Sequence, residues 1–146
     1  MIEITKNVLD PKLVTESVKN DSNGAVVTFV GITRRISEGK VVLYLEYEGY
    51  EVMATKKLEE ISEEIKIQWP MVEVSISHRL GRLEIEEISL VVAVASPHRK
   101  EAFSACSHVV DRIKEIVPIW KKEVFEDGEA WVGCQSHQIP TVTSNS

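Results

Sequence analysis

The sequence predicts a single α+β domain with a mixed, mostly antiparallel sheet and flanking helices. Three observations predict it. Segments with strand-like alternation or β-branched runs are interspersed with segments of helical period along the whole chain. The 146 residues contain no internal repeat and no linker, which suits one sizeable core. Apolar residues make up 43% and charged residues 27%, the balance of a globular rather than a disordered chain.

The elements follow in order. "LDPKLVTESVKNDSNG" reads as a short helix, with Asp10 as N-cap, Pro11 at the first helical position and Gly24 beyond the end. "GAVVTFVGIT" is a β-branched, apolar run expected to be a buried strand. "RRISEGK" is a polar loop, and the alternating "VVLYLEYEGY" is a second strand, expected to pair with the first as a hairpin. From about Tyr50 to Trp69 the pattern is helical, with Met53, Leu58, Ile61 and Ile65 as apolar positions and Pro70 after the end. "VEVSISHRL" alternates as a strand, and "ISLVVAVAS" reads as a more buried one. "SPHRKEAFSACSHVVDRIKEIV" is the clearest helix, with Ser96 as cap and Pro97 in first position. Phe103, Cys106, Val109, Val110, Ile113 and Val117 are its expected buried stripe. "PIWKKEVF" is a strand whose proline stands at its start, where no ladder bond is lost. "GEAWVG" adds a short strand. The domain is expected over 1–135, with a flexible tail over 136–146 that includes "IPTVTSNS".

The formal net charge of −6 argues against non-specific nucleic-acid binding, because an acidic surface repels phosphate backbones. No apolar run reaches membrane-span length, and "MIEITKNVLD" lacks a signal peptide's pattern, so a cytoplasmic protein is expected. Cys106 and Cys134 form no CxxC pair and read as one buried and one exposed thiol. His78, His98, His108 and His137 show no metal-ligand spacing, so neither metal nor cofactor is expected.

Against this acidic background four cationic positions stand out: Arg34, Arg99, Lys114 and Lys121. Lys114 falls on the helix wheel about 20° from Phe103 and about 40° from Val110. It therefore borders the expected stripe, either as a snorkelling lysine or as a partly desolvated one able to do acid–base work. In "PIWKKE", strand alternation gives Lys121 the face of Ile119 and Glu123 and sends Lys122 to the other. "SPHR" puts His98 and Arg99 at a helix start, where unpaired N–H groups favour an anion. Arg34 follows the first long strand. Together these positions suggest a small anionic ligand, and neither a serine nor a cysteine nucleophile with a base accompanies them.

Read together, "GAVVTFVGITR", "LEYEGYEVMA", "HRLGRLEI", "SPHRKEAF", "DRIKEIVPIWKKE" and Trp131 resemble, in order and spacing, the MoaE family, the large catalytic subunits of molybdopterin synthase. The resemblance runs from about Gly24 to Trp131. It implies an α/β hammerhead fold and conversion of cyclic pyranopterin monophosphate into molybdopterin. It further implies sulfur delivered as a C-terminal Gly-Gly thiocarboxylate of a small ubiquitin-like partner, and a homodimer at the centre of a heterotetramer. Lys114 and Lys121 match the family's catalytic lysines. Arg34, His98, Arg99, Lys122 and Glu123 match its substrate-binding positions, and Phe29 and Trp120 are candidate pocket walls or core residues. Arg35 directly follows Arg34, but the spacing from Gly31 favours Arg34. "LEIEEIS" carries glutamates where the family often has a turn glycine. Two other readings stay open: a non-catalytic scaffold for a ubiquitin-like protein, and a binding module for another phosphorylated metabolite.

Overall fold

The computed structural model describes residues 1–133. The expected tail over 136–146, the domain boundary at 135, Cys134 and His137 lie outside the described residues. The described elements are β1 (Ile2–Thr5), α1 (Pro11–Val18), β2 (Ala25–Ile32), β3 (Ile36–Ser37), β4 (Lys40–Gly49), α2 (Glu51–Gln68), β5 (Glu73–Arg79), β6 (Gly81–Leu83), β7 (Ile88–Ser96), α3 (Arg99–Ile116), β8 (Ile119–Phe125) and β9 (Gly128–Val132). The α+β class is therefore as the sequence predicts.

Two sheets organise them. One has the order β1-β5-β7-β2; β1 runs parallel to β5, and the other pairs are antiparallel. The other has the order β3-β4-β8-β9, with β6 also pairing with β4. The first sheet is covered on both faces, which explains its apolar runs. Val91, Ala93 and Ala95 of β7 pack under α1 with Leu9, Val14 and Val18. The alternate residues Leu90, Val92 and Val94 pack against α2 and α3 through Leu58, Ile61, Ile65, Val109 and Ile113. Each such fully buried side chain contributes about 1.5–3 kcal/mol. In β5 the apolar positions Val74 and Ile76 join this core, and Ser75 and Ser77 lie under α1. The serines satisfy their hydroxyls there: Ser75 Oγ contacts Ser17 Oγ at 2.7 Å, and Ser77 Oγ donates to Glu3 Oε1 at 3.1 Å.

The expected hairpin between the first two long strands does not form. β2 pairs with β7, and β4 pairs with β8 in the register Tyr47↔Lys121. A register shift at Gly31/Ile32 ends β2, and Thr33 exchanges backbone hydrogen bonds with Glu86 and Glu87, so the chain leaves the first sheet there. β2 is consequently an edge strand, with Val30 and Ile32 exposed rather than buried. The short strands β1, β3 and β6 were not expected; each is held by pairing with a longer strand, a non-local contact.

Two helix details also differ from expectation. In α2 Met53 is exposed, and Ala54 occupies the fully buried position beside it. In α3 the N-cap is His98, without a side-chain cap bond, because Ser96 is still the last residue of β7. Ala102 and Ala105 supply the buried positions with Cys106, Val109 and Ile113, and Phe103 is 62% exposed. Small residues let α3 lie close against β7 and β2. Arg112 anchors its second half to α2 through two bonds to Glu64, at 3.0 and 2.9 Å.

Candidate active site

β8 carries the centre of the site. Alternation puts Ile119, Lys121, Glu123 and Phe125 on its inward face, and Trp120, Lys122 and Val124 on the outward one. The strand starts where Gly49 ends β4. A Cβ on Gly49 would stand 2.9 Å from both the Pro118 carbonyl oxygen and Ile119 Cγ1, so only glycine lets the two strands meet there.

Lys121 Nζ lies 3.8 Å from Glu123 Oε2. The other carboxylate oxygen, Oε1, accepts a hydrogen bond from Ser37 Oγ at 3.2 Å. Burial holds the Lys121 ammonium below its ordinary pKa. Glu123 opposes that shift, and the positive charges of Lys114 and Arg34 add to it. Three cations, from the end of α3, the segment after β2 and the middle of β8, therefore share one electrostatic neighbourhood. Gathering like charges costs free energy, and an anion placed among them would offset that cost.

Lys114 itself is exposed. It shares a side of the helix with Phe103, but Phe103 is not a core residue, so the expectation that Lys114 borders a buried stripe is corrected. Tyr47 stands directly across from Lys121 on β4 and is half-buried. Burial pushes its phenol pKa up; a hydrogen bond with Ser89 opposes this, and the Glu123 charge adds to it. His78 packs edge-on against Tyr47 with ring centres 5.2 Å apart. It is buried, its Nδ1 lies 2.9 Å from the Arg79 carbonyl oxygen, and burial lowers its pKa to about 4.

The remaining expected residues lie elsewhere within the chain. Lys122 faces outward, 3.1 Å from Glu46 and 3.6 Å from Glu129, with its ammonium 5.4 Å from the Trp131 ring centre. Trp120 shares that outward face and packs edge-on against Tyr50. Phe29 is half-buried against the main core. None of the three belongs to the inward face that carries Lys121. His98 and Arg99 are exposed at the start of α3. His98 lines a cleft of about 260 Å³ with Trp69, Met71, Pro97 and Glu101. Fifteen residues of unbroken helix separate Arg99 from Lys114, about 22 Å at 1.5 Å per residue. Sequence reasoning missed Ser37, Tyr47 and His78. Tyr47 and His78 lie within "VVLYLEYEGY" and "VEVSISHRL", which read as strands, but nothing in those patterns points to the site. Among the described residues no group of three His, Cys, Asp or Glu side chains could hold a metal ion, and no helix is long and apolar enough to cross a membrane.

Comparison with known proteins adds to this geometry. A family model described as "MoaE protein" matches residues 4–116. The molybdopterin synthase catalytic subunit of Halalkalibacterium halodurans is 51% identical over 122 residues, 84% of this chain and 78% of that protein. The crystal structure of molybdopterin synthase from Staphylococcus aureus superposes with a TM-score of 0.87 at 47% identity, covering 90% of this chain and 96% of that one. A Helicobacter pylori chain, solved as a complex of subunits 1 and 2 of molybdopterin-converting factor, shares the fold at 23% identity and a TM-score of 0.76, over 94% of both chains.

Proposed function

The chain belongs to the MoaE family, and from that premise we propose that it is the catalytic subunit of a molybdopterin synthase. In this reading it transfers sulfur from the C-terminal thiocarboxylate of a small ubiquitin-like partner to cyclic pyranopterin monophosphate, forming the dithiolene of molybdopterin in the cytoplasm. The observation that carries the reading is the gathering of Lys114 and Arg34 around partly buried Lys121, with Glu123 as the counter-charge of that lysine. A phosphorylated substrate and an anionic sulfur donor both need such a place.

Lys121 and Lys114 are the catalytic residues of the proposal. Attack by the thiocarboxylate sulfur builds negative charge on the substrate, which a positioned ammonium stabilises or protonates. Burial of Lys121 brings its proton nearer to transfer at neutral pH. Arg34 and Glu123, whose charges act on Lys121, are assigned to substrate binding beside it. His98 and Arg99 bind the substrate from a neighbouring copy in a homodimer, since one helix holds them about 22 Å from Lys114. One small partner at each end of that dimer completes a heterotetramer. Lys122 serves the outward face.

The test is single-turnover conversion of the pterin with pre-thiocarboxylated partner. Lys121→Ala and Lys114→Ala should each lower the rate about 100-fold or more, and Lys122→Ala should leave it within about 3-fold. Near-normal turnover by both of the first two variants would leave a scaffold, not a catalyst.

A further inference from the structure

We propose that Ser37 is a positioning residue that aims Glu123 at Lys121, a role that rests on the reading of Lys121 as catalytic. Ser37 is buried, as is Glu123. The two carboxylate oxygens of Glu123 have separate duties: Oε1 accepts from the Ser37 hydroxyl at 3.2 Å, and Oε2 faces the Lys121 ammonium at 3.8 Å. A hydroxyl donating to a carboxylate is a directional contact, and at 3.2 Å this one is long, so it orients the group more than it stabilises it. It holds the carboxylate against rotation and leaves one oxygen pointing at the lysine.

The backbone delivers Ser37 for this purpose by a route independent of β8. β3 and β4 form a tight hairpin in which Ser37 pairs with Lys40 across the two-residue loop Glu38-Gly39. Both loop residues have positive φ, 48° and 79°, as a type I′ turn requires. The same short segment carries Arg34, whose charge acts on Lys121 in the opposite sense to Glu123. One loop thus brings both a repulsive cation and the tether of the attractive anion.

Among the described residues, the groups facing Lys121 are few. They are Glu123 on its own strand, Tyr47 across on β4 with His78 behind it, Lys114 from α3 and Arg34 from the loop. Val132, its partner on β9, carries no charge. Among them Glu123 alone favours the ammonium, so its orientation has a direct effect on the lysine proton.

The experiment reads the titration of Lys121 in the full-length protein, by amine modification across pH followed by mass spectrometry of its peptide. Ser37→Ala should lower the midpoint by about 0.5 pH units, because a loosened carboxylate attracts the ammonium less. It should also slow single turnover about 5-fold, and Ser37→Thr, which keeps the hydroxyl, should match the parent on both readouts. In a Glu123→Gln background, Ser37→Ala should shift the midpoint no further. A parental midpoint in Ser37→Ala, or an equal shift with and without Glu123, would overturn the proposal, as would a Ser37→Thr protein that behaves like Ser37→Ala. A general loss of folding would lower the thermal midpoint of both Ser37 variants without the dependence on Glu123. The titration needs no substrate, so a parent protein that fails to turn over the pterin would sink the proposed function and leave this contact to be judged by itself.

Discussion

Mixing two inactive variants should restore activity if the site is shared between two copies. Arg99→Ala and Lys114→Ala each remove one cation at opposite ends of α3, which runs unbroken from Arg99 to Ile116. At 1.5 Å per residue, the fifteen steps between them span about 22 Å. One substrate cannot touch both ends within a chain, but a two-fold axis can set the start of one helix against the end of another. Each homodimer should then be nearly inactive. In a mixed dimer, the site that uses Lys114 from the Arg99→Ala chain and Arg99 from the Lys114→Ala chain is whole, and the other site lacks both. Random exchange makes about half of the dimers mixed, so about a quarter of all sites should recover. The assay is single-turnover conversion of the pterin before and after mixing, with exchange followed by native mass spectrometry. Complete exchange with no recovery would refute the shared site and with it a role for Arg99 in the chemistry.

Two further predictions test the scaffold behind the site. Burial lowers His78 to about 4 in the folded protein, so the unfolded chain takes up that proton first as pH falls. The stability this neutral ring confers is whole above about 6.5 and erodes between about 6.5 and 4, by roughly 3 kcal/mol in all. Urea unfolding at pH 7 and pH 5 should show a smaller pH-dependent loss in His78→Gln than in the parent; equal losses would contradict the assignment. Gly49→Ala should push the start of β8 away from β4, since the added Cβ meets backbone at 2.9 Å. A loss of about 1–3 kcal/mol in stability is expected, with reduced turnover because Lys121 moves with the strand; an unchanged denaturation midpoint would argue that the strands give way freely.

The sequence by itself determined whatever depends on neighbours a few positions away. Helical period located α2 and α3, cap signals located α1, and Asp10 caps α1 by accepting from the Lys12 N–H as its position predicts. Strand alternation separated Lys121 from Lys122, and their counter-ions in the structure differ accordingly: Glu123 for one, Glu46 and Glu129 for the other. Local pattern could not decide which strands pair. β2 and β4 are successive strands, yet the ladders of β2 go to β7 and those of β4 to β8, because β2 belongs to the sheet that packs on α1, α2 and α3 and β4 to a second sheet with its own core of Val42, Leu45, Phe125 and Ala130. Nor could it place Phe103: an aromatic at a helical spacing looks like core until Ala102 and Ala105 are seen to take the contact with the sheet. The site shows the same division. The cations were legible as residue types, but Ser37 meets Glu123 across 86 positions of sequence, and Tyr47 faces Lys121 only through strand register. Such contacts are chosen by the tertiary fold, since the free energy that selects them comes from burying whole sheets and not from any local preference.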